Sequence, residues 1–463
     1  MSTDLPRNWC DMTIGEVFTV TLGQSPPSST YNSHGEGLPF FQGKAEFGDV
    51  YPVARKWCGS PKKIAQKGDV LLTVRAPVGP TNIAPTKCCI GRGLASIRPV
   101  DGIDTKFILY FFRSVERYLA KSGTGTTFNA ITGDKLKGLP IPIPPLPEQY
   151  RIVAKIEELF TKLDAGVDAL KQVQAQLKRY RQSVLKAAVE GKLTAEWREQ
   201  HHLDELEPAD KLLDRIQSER KAKLGEKYKE PAPINTTNLP YLPKGWVWTN
   251  VDSAFDITLG QSPPSSTYNK NGEGLPFFQG KAEFGNIYPT KNKWCNSPKK
   301  IAQKGSILIS VRAPVGPTNI APDTCCIGRG LAAIKGLGGV HTKFILYTFR
   351  AFEHKFSSKG TGTTFKAITG DQLKKVIIPF PPLIEQNNIV MQIEQILSNI
   401  EGAETVLEPE LKRAHSLRQS ILKHAFEGKL VPQDPNDEPA SVLLERIKEE
   451  KAKPNKSKQL EII

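Results

Sequence analysis

Short stretches that occur twice in this chain hold the residue types able to grip a nucleic acid. Phe40–Gly48 (FFQGKAEFG) sets Gln42 and Lys44 between aromatics, and Phe277–Gly285 repeats it with Gln279 and Lys281. Gly23–Asn32 (GQSPPSSTYN) is a Gly/Pro/Ser loop carrying Ser25, Thr30, Tyr31 and Asn32; its copy carries Ser262, Thr267, Tyr268 and Asn269. Lys62 and Lys63 return as Lys299 and Lys300, Arg75 as Arg312, and Arg92, between two glycines, as Arg329. Lys121 precedes the hydroxyl-rich Gly123–Phe128 with Thr124 and Thr126; Lys359, Thr361 and Thr363 sit in the second copy. Arginine can pair bidentately with guanine, and Asn or Gln with adenine. Lysine, hydroxyls and backbone amides suit phosphates. Each residue also has a plain structural reading. Proline-rich loops make turns, Phe40, Phe41 and Phe47 fit a core, adjacent lysines form a solvated face, and a lone arginine can salt-bridge within the fold. Taken as a set in a basic, twice-repeated unit, they point to a nucleic-acid surface.

Catalytic motifs fare worse. The Pro-Pro pairs (Pro26–Pro27, Pro144–Pro145 and their copies) lack the preceding Asn or Asp and the following aromatic that an amino-methyltransferase uses. GTGTTF has no lysine after its glycines, so it is no P-loop. The acidic stretch DGIDTK (101–106) could suggest a nuclease, but Asp101 aligns with Gly338 and Asp104 with His341. Metal chemistry would not leave one of two matched sites without its acids. His34 aligns with Asn271, and no other histidine occurs in both copies, so a Ser-His-Asp system has no support. The chain reads as non-catalytic.

The formal net charge of +15 leans toward a polyanionic partner. The start, MSTDLPRNWC, lacks a basic flank and apolar core, and the longest apolar run, Phe107–Phe112, is too short for a bilayer. No membrane role is expected. Of seven cysteines, six are three duplicated positions (Cys58, Cys88, Cys89 and Cys295, Cys325, Cys326). Without framework or C-x-x-C spacing they read as reduced core thiols in a cytoplasm rather than disulfides or zinc ligands.

The elements that must carry these residues follow from one constant offset of 237, which relates LGQSPPSSTYN, GRGLA, GTGTTF and GKL, and turns Pro6 and Trp9 into Pro243 and Trp246. Residues 1–146 form a first unit, α+β with long loops, in which Asp104 or Thr105 caps a helix whose Ile108, Phe112, Val115 and Leu119 share a face. Residues 147–198 hold a long helix, 199–240 a charged connector with a short amphipathic helix, 241–383 the second unit, 384–432 a second long helix, and 433–463 another short helix and a tail. Ile156, Leu163, Leu170, Leu177 and Val184 recur every seven residues; Leu159, Val173, Tyr180 and Ala187 follow three later, interrupted at Gly166. The second helix matches with Ile393, Ile400, Leu407, Ala414 and Ile421, and with Ile396, Ala403, Glu410, Leu417 and His424. Two such seams predict a coiled coil of long helices, each spanning roughly 66 Å. An antiparallel pairing gives a pseudo-twofold arrangement, and Glu410 and His424 would then fix register from core-type positions.

On these residues the chain resembles the specificity (S) subunits of type I restriction-modification enzymes. The resemblance rests on ITGDKLKGLPIPIPPLPEQYRIVAKIEELF (131–160) and its copy at 368–397, on RQSVLKAAVEGKLTAEWR (181–198) and RQSILKHAFEGKL (418–430), and on G-x-S-P near each unit's start. It implies two target recognition domains, each reading half of a bipartite site in double-stranded DNA, and two antiparallel helices that set the spacer. It implies as partners two methyltransferase (M) subunits that modify adenine N6, with two ATP-driven restriction (R) subunits as further candidates. It also implies that this chain binds no cofactor, S-adenosylmethionine, ATP and Mg being held by the partners. The alternative from the residues is a stand-alone sequence-specific DNA-binding or regulatory protein with duplicated domains. One departure matters. Family members commonly carry dissimilar domains, whereas over Leu22–Gly48 only Ser33/Lys270 and His34/Asn271 differ here. The expected target is therefore an interrupted palindrome, or a direct repeat if translation relates the domains. A length change near Leu193–Glu196 is expected to alter the spacer alone.

Overall fold

The computed structural model describes residues 5–122, 130–201, 207–359 and 367–452. Thr124, Thr126, Thr361 and Thr363, proposed as DNA contacts from the sequence, lie outside that range, as does the side chain of Lys359. The chain divides into unit 1, Met1–Lys171 with Glu408–Ile463, and unit 2, Gln172–Leu407.

In unit 1 the proline-rich exit arm is a strand, Pro140–Ile143, paired antiparallel with Cys10–Thr13. A four-stranded sheet orders Thr19–Leu22, Leu94–Arg98, Val70–Thr73 and Thr81–Ile83; a second sheet pairs Leu38–Phe41 in parallel with Cys88–Ile90. The expected helix begins where Asp104 accepts the Phe107 amide at 2.9 Å. It runs over Thr105–Ser114, then breaks, and Glu116–Ser122 follows as a second helix with Val115 and Leu119 still buried. Phe107–Phe112 are all buried, which explains the apolar run without a membrane. Unit 2 repeats the strand order element for element. The duplicated thiols are free and buried, and desolvation pushes Cys88, Cys89, Cys325 and Cys326 up to about 12. These cysteines are core residues. Among the described residues no helix is long and apolar enough to cross a membrane.

The long helices are Leu146–Val189 and Leu383–Phe426, 44 residues each. Unit 1 joins the first half of one to the last half of the other: Arg418 bonds Asp164 and lies over the Phe160 ring at 4.5 Å. In unit 2 Arg181 pairs with Glu404 at 3.1 Å. Within unit 1 the start of the first helix (Glu148 on Trp9) and the end of the second (Phe426 on Phe107) both lie against the domain while Asp164 meets Arg418 farther along, so these helix segments run antiparallel. The second seam row differs from expectation. Val173, Tyr180 and Leu417 are 41%, 51% and 49% exposed. His424 is exposed, and half-buried Glu410 lies 3.6 Å from Arg413 on its own helix, so neither sits in a core. Four residues after the repeated apolar positions, Phe160 and Ala188 are buried and Val167 and Arg181 half-buried, while Gln174 is exposed. A seven-residue repeat does not say which neighbour shares its face, because three and four residues on are both adjacent. Arg181 and Arg418 put ion pairs into this row.

The short helices close each unit. Ala209–Leu224 docks on the unit 2 domain through Ala209 N to Gly245 O (3.1 Å), burying Leu212 and Ile216. Ala440–Ala452 docks on the unit 1 domain through the matching bond, Ala440 N to Asn8 O (3.0 Å), burying Leu444 and Ile447. The GKL glycines end the long helices at positive φ, Gly191 at 68° and Gly428 at 69°. Gly191 packs on Pro243 and Gly428 on Pro6, so each long helix ends against the domain it does not begin from.

Each long helix starts with a buried glutamate that accepts a tryptophan indole: Trp9 to Glu148 at 3.0 Å, Trp246 to Glu385 at 2.7 Å. The copies then diverge. Glu385 Oε1 also accepts Thr194 Oγ1 (2.6 Å) and Arg198 Nη1 (2.5 Å). At the equivalent places unit 1 has Val431 and Pro435, and Glu148 Oε1 is buried with no hydrogen-bond partner among the described residues. Burial raises the Glu148 carboxyl, against the Trp9 bond and Arg151. A raised acid favours its protonated form in the fold, so its contribution is present at low pH and lost as pH climbs through the raised value. Two substitutions are expected to separate the junctions at neutral pH. Glu385→Gln weakens a satisfied buried ion pair by about 3 kcal/mol and speeds amide exchange over 383–393. Glu148→Gln changes exchange over 146–156 little, within about 1 kcal/mol. Equal acceleration at both helix starts would refute the distinction.

Candidate nucleic-acid interface

The loop 23–32 is shaped by its own side chains. Tyr31 donates its hydroxyl to Pro26 O (2.6 Å) and stacks on Phe40 at 4.6 Å. Burial raises its phenol. Thr30 Oγ1 donates to Pro27 O (2.7 Å), and Asn32 closes the next turn by donating to Glu36 O (2.7 Å) while accepting the His34 and Glu36 amides. Thr267, Tyr268 and Asn269 repeat these bonds, and Tyr268 stacks on Phe277 at 4.7 Å. Thr30, Tyr31, Asn32 and their copies thus have their polar groups engaged in holding the loop.

A second group converges on Ser25. Its Oγ accepts the Arg92 amide (3.2 Å) and the Gln42 side-chain amide (3.4 Å). In unit 2 Ser262 Oγ accepts the Arg329 amide at the same 3.2 Å. The turn bearing Arg92 is jammed against this neighbour: a Cβ on Gly93 would fall 2.2 Å from Gln42 O, and on Gly330 2.2 Å from Gln279 O. Val74 N bonds Gly93 O (2.8 Å), which brings Arg75 beside the same turn. In unit 2 Gln279, Lys281, Ser310, Arg312 and Arg329 line one recess of about 290 Å³. Lys44, Arg75 and Arg92 and their copies are exposed, and among the described residues no carboxylate lies within salt-bridge reach of any of them. Glu46, the acid in this stretch, is taken up by the Gln42 and Gly43 amides (3.2 and 3.0 Å). Unneutralised cations so gathered repel one another and are set for a polyanion. A groove of unit 1, about 1240 Å³, is lined by both signs: Lys44, Arg113, Arg117 and Arg418 with Asp49 and Asp164.

Lys62, Lys63, Lys299 and Lys300 are exposed just before the strands Ile64–Ala65 and Ile301–Ala302, and Lys121 is exposed near the end of Glu116–Ser122. The structure does not gather these lysines into the Ser25 cluster. Sequence reasoning missed Glu46 and Asn82, which hold the reading loops. Asn82 exchanges two bonds with Gly48 (3.0 and 2.9 Å), and Asn319 repeats them with Gly285. Their signal was present, since both lie in stretches duplicated verbatim. Two changes are coupled. Where unit 1 has Ala54 and Thr86, unit 2 has Lys291 and Asp323, paired at 2.5 Å; where unit 1 has Gly59, unit 2 has Asn296 bonded to Asn269 at 2.7 Å. Among the described residues no cluster of three or more His, Cys, Asp or Glu could hold a metal.

Two matched α+β domains, each presenting an unpaired cationic recess and mounted on paired long helices, define a double-headed reader of nucleic acid. The sequence profile of the type I restriction modification DNA specificity domain matches residues 6–179 and again 243–409. The chain belongs to that family: it is a specificity subunit with two target recognition domains, the non-catalytic DNA-reading part of such a system. It is 35% identical over 349 residues to the MjaX type I specificity subunit of Methanocaldococcus jannaschii, covering 73% of this chain and 72% of that protein. Among solved structures, one reported for assembly and conformational transition of a type I R-M system has a TM-score of 0.70 at 30% identity, covering 92% of this chain and all of that one. The HsdS subunit of Thermoanaerobacter tengcongensis has a TM-score of 0.58 at 30% identity, with 92% and 98% covered.

The crowded turn makes a direct test of the recess. Gly330→Ala is expected to push the Arg329 turn off Gln279 and cost about 1–3 kcal/mol, read as a lowered melting temperature. An unchanged melting temperature would show that the turn gives way freely.

Proposed function

We propose that this chain directs an adenine-N6 methyltransferase to an interrupted palindrome, each recognition domain reading the same short sequence on opposite strands. The observation that carries this is the match between the two clusters: Ser25, Gln42, Lys44, Arg75 and Arg92 have the same residue types as Ser262, Gln279, Lys281, Arg312 and Arg329, and in both copies the serine hydroxyl accepts the arginine's amide. Domains that present the same donors read the same bases. The antiparallel sense of the helices supports an inverted repeat over a direct one. Two methyltransferase subunits carrying S-adenosylmethionine bind this scaffold, with two ATP- and Mg-dependent restriction subunits where the system also cleaves. The chain itself supplies recognition and spacing and binds no cofactor. The stand-alone regulator gains no specific observation in its favour.

Methylation mapping of genomic adenines in cells with and without this gene tests the reading. The expected motif has two halves that are reverse complements around a fixed gap, and two unrelated halves would refute it. The spacer test is best placed within the long helices, because residues 193–196 include Thr194, which is bonded to Glu385. One added heptad in both helices lengthens them by roughly 10 Å, or about three base pairs. The spacer is expected to grow while the half-site bases stay; altered bases with an unchanged gap would refute the ruler.

A further inference from the structure

The cations and amides of each recess are held in two different ways, and the difference separates base contacts from phosphate contacts. Arg92 rises from a turn with little room to move. Its amide is bonded to Ser25, a Cβ at Gly91 would sit 3.1 Å from the Gln42 and Phe40 side chains, and one at Gly93 would strike Gln42 O. Gln42 is fixed from both ends, its backbone amide by Glu46 and its side-chain amide by the same Ser25. Bidentate pairing needs a planar donor set whose root does not shift. Arg92 and Gln42, side by side on one serine, meet that need, and Arg329 shares it in unit 2 through Ser262. Lys44 offers a point charge on a flexible stem, and no hydrogen bond fixes its ammonium among the described residues. Unfixed cations serve phosphate, which asks for charge more than geometry.

We propose that Arg92 and Gln42, and likewise Arg329 and Gln279, read base edges, a guanine and an adenine in each half-site, while Lys44 and Lys281 hold phosphates. This rests on the DNA-reading function above and adds which residues carry specificity.

The test uses the full chain with its cognate methyltransferase on genomic DNA, with variants in unit 2 alone. Arg329→Ala is expected to abolish discrimination at one G·C pair of one half-site, roughly 10- to 100-fold, leaving the other half intact. Gln279→Ala should do the same at one A·T pair. Arg329→Lys keeps the charge without the fork and should not restore the guanine. Lys281→Ala should leave the motif intact and reduce the salt dependence of binding by about one phosphate contact. An unchanged motif in Arg329→Ala, or guanine discrimination regained in Arg329→Lys, overturns the assignment. So does a motif change in Lys281→Ala. A wild-type complex that marks no bipartite motif at all overturns the underlying function instead, so the two failures are distinguishable.

Discussion

Everything in each unit is referred to one buried carboxylate at the start of a long helix. Glu148 and Glu385 sit in the first helical turn, where the backbone dipole favours negative charge, and each takes the indole of its domain's first tryptophan. That bond joins the beginning of the domain to the element that follows its end. The neighbouring glutamine adds to it: Gln149 accepts the Asp104 amide (2.9 Å) and donates to Pro144 O (3.0 Å), tying the helix cap of the domain to the same turn. Lys106–Glu157 and Lys343–Glu394 then fix the domain's own helix along the long one. With so many ties at one helix end, a domain has little freedom to tilt on the helix that carries it.

The units are closed by elements borrowed from elsewhere in the chain. Each is completed by the far end of the other unit's long helix and by the short helix that follows that end. The glycines ending the helices lie against the prolines that open the opposite domains, so GKL and Pro6/Pro243 are two halves of one contact. The repeats have kept this contact and the tryptophan bond while letting the acid's other partners drift. Unit 2 satisfies Glu385 with Thr194 and Arg198; in unit 1 one oxygen of Glu148 has no hydrogen-bond partner among the described residues, and an Arg151–Asp437 pair lies nearby. Near-identical domains therefore stand on junctions that are bonded differently.

The reading surface shows the opposite pattern. Around Ser25 the charged and amide groups are the same in both copies, Ser310 standing where unit 1 has Thr73, and the paired additions lie elsewhere, in Lys291–Asp323 and Asn296–Asn269. These additions pin loops without adding a free charge, since each new group arrives with a partner.

The sequence alone determined the duplication, the two domains, the two 44-residue helices, the family and the residue types at the recess, because these depend on composition, local periodicity and verbatim repetition. It narrowed the helix cap to Asp104 or Thr105 for the same local reason, and the structure uses Asp104. It misplaced the second helix row, because a seven-residue period leaves +3 and +4 equally adjacent and the covered row is polar where ion pairs cross. It treated Tyr31 and Asn32 as equals of Gln42 and Arg92, because a hydroxyl or amide in a loop shows its type but not its partner. Only the tertiary structure decided that Tyr31 and Asn32 spend their polar groups on the loop, while Arg92, 67 residues from Ser25 along the chain, is clamped on its hydroxyl. It alone decided which domain each short helix completes. Those outcomes depend on contacts between distant segments, and distance along a chain carries no information about which surfaces meet once it folds.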